Sequence, residues 1–483
     1  MPHKNGYARW FSKFDSRGNH IERAYFGVDG EPVLDKSGCA KWTRKFDECG
    51  NEIERAFYGL SGEPVASKEG YARWTLKFDD RGNQIERAFF GVDGQPIANR
   101  KGFARWTSKF DAHGNEIEAS LFGVDGKPVI SKAGYAKWTA KFDSLGNEIE
   151  GACFGLDGEL VVGAEGFATR TAKYDQRGNA IERAYFGIDG KPANNKNGYA
   201  KAVSKFDPRS NEIELAFFGV DGQPTKDWSG VSRVTADFDA LGNQRETAYF
   251  GPDGKLMNCT DGYAKWTSKF DARGHAKELA YFDANGDPVL GHNGAAIILL
   301  EHDERGNENT ISYLGPDGLP VICNEGVAKW IVEFDERGNE ISIAGFGLDG
   351  KPTVNILGCH SVRQRFNSLG MVIEKNYFGL HGQPVLNSDG FHQERIAYDT
   401  HSRILEERWV DIQGGAVINN SVGGAAREYI RDIYGNIVET RLLGVDLRTV
   451  TKSGKETAED QVLNDAQLRE VRRKHNDQDE HDL

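Results

Sequence analysis

The 483 residues contain no apolar run long enough to cross a bilayer, and the amino terminus, MPHKNGYARW, has no basic-then-apolar leader. These two absences predict no membrane span and a cytoplasmic protein, with leaderless export as the alternative route out of the cell. Cysteine is scarce. Its six copies, Cys39, Cys49, Cys153, Cys259, Cys323 and Cys359, are irregularly spaced, which speaks against a disulfide framework or a zinc site and favours a reducing compartment. Positive charge is also in deficit: the net charge is −13, so nucleic acid is not an expected partner. Hydrophobic residues reach only 38%, low for a compact globule, whereas glycine is abundant at 58 copies. Both fit a thin, turn-rich β-protein.

Catalytic signatures are missing as well. The sequence has no nucleophile elbow, P-loop, HExxH or Cys/His set at metal spacing. No catalytic residue, metal site or cofactor is therefore expected. His360 and His392 lie one period apart, with Asp399 and His401 near them in sequence. These are residue types of a metal pair or an acid/base pair, but unrelated substitutions in diverged copies are the simpler reading. The Asp, Asn and Gly of the turns invite calcium; each turn offers too few converging oxygens, and turn chemistry explains them without an ion.

What is present is repetition. The stretch GYARWTLKFDDRGNQIERAFFGVDGQPIANRKG, Gly70 to Gly102, recurs almost unchanged at Gly6, Gly38, Gly102 and Gly134 and recognisably at Gly262 and Gly326. Gly-Asn pairs at Gly18, Gly50, Gly82, Gly114, Gly146 and onward fall at multiples of 32 residues. Such a period means one supersecondary unit copied about fourteen times, each copy burying its neighbour. Tyr7 to Phe14 reads as a strand, Asp15 to Asn19 as a turn, and Ile21 to Phe26 as a second strand. Gly27 to Gly30 reads as a second turn before a connector that begins at Pro32. The predicted fold is all-β: tandem 32-residue antiparallel hairpins in an elongated or superhelical, β-solenoid-like array.

The array is expected to span residues 1–450, with 390–450 as a degenerate carboxy-terminal cap carrying an inserted residue near Gly414 or Gly423. Residues 451–483 read as a polar tail in which Glu456 to His475 has the pattern of one short amphipathic helix. The drifted copies from Gly294 on, beginning GAAIILL, predict relaxed packing or a cap, with a specialised binding face as the lesser alternative. The first unit starts near Met1 without a separate cap. An uncapped edge invites another strand, so self-association through sheet edges is one expectation.

Period two assigns faces. Ala8, Trp10 and Phe14 share one side of the first strand, and Arg9 and Lys13 the other. In the second strand Glu22, Ala24 and Phe26 oppose Ile21, Arg23 and Tyr25. Aromatics on both faces predict cover on both, hence a wound or two-layered array. Basic columns at Arg9 and Lys13 beside an acidic column at Glu22 predict an interleaved ladder of ion pairs; a linear polyanion groove is the sharper alternative. The column of Tyr25, Tyr185, Tyr249, Tyr281, Tyr313 and Tyr377 reads as half-exposed, the candidate binding residues for a glycan.

At the level of the unit, Phe/Tyr-Asp-x-x-Gly-Asn followed by a strand and Gly-x-Asp-Gly resembles the tyrosine-aspartate repeats of the RHS family, with Tyr174-Asp175, Gly178 and Asn179 coming closest. The resemblance covers residues 1 to about 447. It implies β-repeat architecture and, as in family members, β-strand shells that enclose a toxin domain. Here the unit is longer, Phe replaces Tyr in most copies, and no toxin-like stretch follows. The function expected is a non-catalytic repeat scaffold or protein-interaction module. The alternative is a carbohydrate or cell-surface binding module that uses the aromatic columns.

Overall fold

The computed structural model describes residues 7–27, 29–432 and 434–448; the stretch expected to be helical, Glu456 to His475, lies outside them. The described residues form 28 strands in one antiparallel sheet, as fourteen hairpins. The first comprises β1 (Arg9–Phe14) and β2 (His20–Phe26), the second opens with β3 (Lys41–Phe46), and the last comprises β27 (Ala426–Arg431) and β28 (Ile437–Leu443).

The repeated turn explains why each hairpin forms. The amide of Gly18 donates to the Asp15 carbonyl at 3.0 Å, and Gly18 holds φ 83°, a region open to glycine. Asp15 Oδ1 accepts from the amides of Arg17 and Asn19, while Asn19 Nδ2 donates to Asp15 Oδ2 at 2.9 Å. The carboxylate is thus fully engaged in its own turn. A register shift between Lys13 and Phe14 recurs at the equivalent place in each hairpin, a built-in bulge that strengthens twist and curvature.

The sheet does not remain open. β1 pairs with β28, Trp10 opposite Thr440 and Phe11 opposite Glu439. The same columns meet at an ordinary junction, where Trp42 faces Arg23 and Thr43 faces Glu22. The closing seam therefore has the register of every other seam. The expected solenoid-like array is corrected to a closed barrel. Right-handed twist, reinforced by one bulge per hairpin, curls the sheet until its first and last strands meet.

The register also fixes the girth. Phe11 faces Ala24, which faces Lys41, the repeat equivalent of Arg9. Each hairpin is thus displaced by two residues from the one before. Carried round the closed sheet, this stagger gives a strand tilt of about 35° and a radius of about 26 Å. Closure also removes the free edge that the sequence left at unit one, and with it the edge-pairing route to self-association. The region expected to be a cap, which includes β25 (Gln393–Tyr398) and β26 (Ile404–Val410), pairs like the rest of the ring. Its inserted residue is absorbed in the connector, where the amides of both Val422 and Gly423 reach the Asn419 carbonyl.

The wall is a single sheet, not two layers. On one face the connectors fold back as cover: Val33 and Cys39 pack with Tyr25 and Trp42, and Cys39 is wholly buried. On the other face cations shield the rings, with the Arg73 guanidinium 4.0 Å from the Phe90 ring centre and Arg105 4.1 Å from that of Phe122. The first of the drifted copies keep a packed core. Ala295, Ile298, Tyr313, Cys323, Val327 and Trp330 form a dry cluster flanked by Leu279, Leu300 and Ile311. Aliphatic side chains stand there where other copies carry polar ones, Leu279 and Ile311 at the position of Arg23 and Leu300 at that of Ser12.

Candidate binding surface

The uncovered face is an ionic ladder. Lys13 Nζ lies 2.7 Å from Glu22, Lys45 2.8 Å from Glu54 and Lys77 2.8 Å from Glu86. The same glutamates reach the next hairpin: Arg73 to Glu54 and Arg105 to Glu86, each at 3.1 Å. Each such carboxylate bridges two hairpins, as the interleaved columns predicted. The glutamates answer the basic columns, so this face offers no continuous groove for a polyanion. The lysines are largely exposed, and each pair contributes about 0–1 kcal/mol.

The covered face differs around the ring. Its aromatic seam alternates between two columns, with Tyr7 against Tyr25 at 4.9 Å, Tyr71 against Phe89 at 4.8 Å, Tyr199 against Phe217 at 4.7 Å and Tyr263 against Tyr281 at 4.9 Å between ring centres. The half-exposure expected of the tyrosine column is corrected here for Tyr25, Tyr281 and Tyr313, which are buried. Tyr185, Tyr249 and Tyr377 are intermediate. The connectors, whose fold-back period two does not reveal, cover the column. Burial pushes the phenol pKa up for all six, above the usual tyrosine range.

Beside this seam, in the first three hairpins, runs a ladder of guanidinium and indole groups. Arg23 lies 4.0 Å from the Trp10 ring centre, Arg44 4.4 Å from that of Trp42, and Arg87 4.8 Å from that of Trp74. Arg55 sits between Trp42 and Trp74 at 5.6 and 5.5 Å and forms a two-pronged pair with Glu52. Cation–π contact and the planar fork of arginine account for this alternation. Period two places Arg23 on the side of Tyr25, and the coincidence of the arginine column with Trp10, Trp42 and Trp74 is the sign of this ladder in the sequence.

His20 lies within this ladder, stacked on Phe14 at 4.8 Å and edge-on to Trp42 at 4.5 Å. Its Nε2 is buried without a hydrogen-bond partner. Burial, then the positive charge of Arg23 and Arg44, lowers its pKa to about 4. The folded state thus resists protonation that the unfolded chain accepts near the ordinary 6.5. The His20 contribution is fully present above that value and is lost as pH falls from about 6.5 towards 4. The expected loss between pH 7 and pH 5 is at most about 1 kcal/mol after solvent screening. It should show as a lower urea midpoint at pH 5, and the drop should shrink in His20→Phe; an equal drop in both proteins would refute it.

The histidine pair does not converge on a common site. His360 Nδ1 lies 2.8 Å from the Gly345 carbonyl and His392 Nδ1 2.8 Å from the Tyr377 carbonyl, each ring edge-on to a phenylalanine. Asp399 is occupied in its turn by Arg403, and His401 is exposed. Among the described residues no group of three or more His, Cys, Asp or Glu could hold a metal ion. All six cysteines are unpaired, and four are buried. No helix among the described residues is long and apolar enough to cross a membrane. The strands, of six or seven residues, fall short of the roughly 9–11 a membrane strand needs, and the ion pairs and guanidinium groups interrupt any apolar band.

No family model matches the chain, and no curated protein matches it. Among solved structures it is similar to a Tc holotoxin pore of Photorhabdus luminescens, at 12% identity over 90% of this chain and 24% of that one, with a TM-score of 0.23. It is similar to a TcdB2-TccC3 structure at 12% identity over 94% of this chain and 26% of that one, with a TM-score of 0.24. A porin-like protein from Bacteroides uniformis is 9% identical over 56% of this chain and 86% of that one, with a TM-score of 0.16. The chain spans about a quarter of the length of the two toxin chains. At these scores the likenesses carry no argument about function.

Proposed function

We propose that the protein is a non-catalytic scaffold, a closed ring of β-hairpins that presents fixed side-chain columns to a protein partner. The observation that carries this reading is the β1–β28 seam. By joining in the common register it turns fourteen marginal hairpins into one stiff body, with its sheet edges consumed. A partner then meets side chains on the faces and rims, where columns repeat about every 12 Å. The turn sequences that resemble tyrosine-aspartate repeats support a shell-like role. The unpaired buried cysteines support residence in a reducing compartment such as the cytoplasm.

The test joins a substrate panel to affinity capture. Wild type is expected to turn over none of a set of esters, glycosides, phosphates and peptides above the level of the double variant His360→Ala/His392→Ala. It is also expected to retain one protein in fixed stoichiometry, which an open-ring variant loses. Turnover that the double variant abolishes would overturn the scaffold reading.

A further inference from the structure

The arginine–indole ladder breaks at the fourth hairpin, where Ala119 stands at the repeat position of Arg23, Arg55 and Arg87. Among the described residues no cation stacks over Trp106, whereas the neighbouring Trp74 and Trp138 carry Arg87 at 4.8 Å and Arg170 at 4.8 Å. At this break the surface opens into a groove of about 320 Å³, lined by Arg87, Trp106, Phe103, Arg100, Lys101 and, as its one acidic member, Glu69. Arg87 Nε is buried there without a hydrogen-bond partner, and Arg100 and Lys101 are exposed at the rim. An acidic chain thus concentrates guanidinium and ammonium groups beside an uncapped indole.

We propose that this groove binds an acidic peptide segment of a partner protein, with a planar side chain on Trp106 and carboxylates on Arg87 and the Arg100–Lys101 rim. Deepening the scaffold reading on which it rests, the assignment names the chemistry of the partner. Charge complementarity selects the occupant: carboxylates pair with the planar arginine fork, and the indole offers a stacking face. Spacing favours a peptide over a compact ligand. Arg23, Arg55 and Arg87 recur once per hairpin, two strands across and two residues along the sheet, about 12 Å apart, close to the roughly 13 Å that four residues of an extended chain span. A peptide crossing the strands with an acid at every fourth residue would keep its carboxylates on one face, towards the arginine column.

The experiment uses fluorescence anisotropy with a labelled synthetic peptide carrying Glu at every fourth position around a central Tyr, a matched peptide with Gln for Glu, and an oligodeoxythymidylate. Wild type is expected to prefer the Glu peptide to the Gln peptide by about tenfold or more. Arg87→Gln, Trp106→Ala and the rim double variant Arg100→Gln/Lys101→Gln should each weaken binding by about three- to tenfold. Lys191→Gln, in an exposed turn distant in sequence, should leave it unchanged. The rim variant changes only exposed side chains, so it separates lost binding from lost folding. No preference for Glu over Gln, undiminished binding by the rim variant, or tighter binding of the oligonucleotide would overturn the assignment. Solution scattering of the same samples judges the ring independently of the peptide.

Discussion

A chain truncated after Asp432, which lacks β28, is expected to associate through the strand edges it exposes. In the intact ring β28 lies between β27 and β1, antiparallel to both. Without it, β27 and β1 run in the same direction and cannot reproduce the antiparallel ladder. Two unpaired edges then face solvent, and edges of that kind recruit other chains. Light scattering should show oligomers whose mass grows with concentration. The matched control is removal of one whole repeat, residues 102–133. Because every seam has the same register, strand number and stagger fall together, the tilt is conserved and the ring closes at a radius of about 24 Å. That variant should keep the association state of the intact chain and unfold cooperatively. A monomeric half-hairpin truncation, or an aggregating whole-repeat deletion, would contradict the shared register.

The second large effect concerns the stacked connectors. Gly166 holds φ 90°, and a side chain there would meet the Asn194 carbonyl oxygen at 2.9 Å and the backbone of Asn195 and Lys196 at 3.2 Å. Those are main-chain atoms of the next connector and cannot swing aside. Gly70, its equivalent three repeats earlier, holds φ 91° with nothing within 4 Å. Gly70→Ala therefore pays only the left-handed backbone strain, about 1 kcal/mol. Gly166→Ala adds a steric clash and should cost about 3 kcal/mol in all. Urea unfolding of the two variants checks the difference; equal losses would show that the connectors do not press on one another as described.

Much of this was legible in the residues. The 32-residue period, the hairpin, the Asp15–Asn19 turn and the Lys13–Glu22 pairing follow from local chemistry and alternation, and each is present. Closure was not legible, because it depends on the accumulated stagger and curvature of fourteen nearly identical units. A slightly different twist at each bulge would leave the same sequence pattern on an open spiral. The burial of Tyr25, Tyr281 and Tyr313 is not legible for a related reason. Alternation says which side Tyr25 takes, but its exposure depends on Val33 and Cys39, which return over it through a connector with no period of its own. The groove at Trp106 had a visible sign, Ala119 in an arginine column, whose meaning required knowing that Arg87 and Trp106 are cross-strand neighbours.

The acid behaviour of the turns follows from the same local chemistry. In Asp15, Asp47, Asp79 and Asp111 the Asn side-chain hydrogen bond, first among the causes, holds the carboxyl below its usual range. In Asp271 the backbone amide of His275 leads and brings it to about 2. A depressed carboxyl stabilises the fold above its unfolded pKa and loses that contribution as pH falls through the folded one. The turns are therefore expected to hold at pH 5 and to fail together only well below pH 4, in contrast to the earlier loss expected from His20.

Small-angle scattering of the full chain tests the closed ring most directly. A hollow barrel of 28 strands predicts a radius of gyration of about 30 Å and the interference minimum of a shell. The same hairpins in an open, extended array would give about 40 Å and the profile of a rod, and that result would contradict the account.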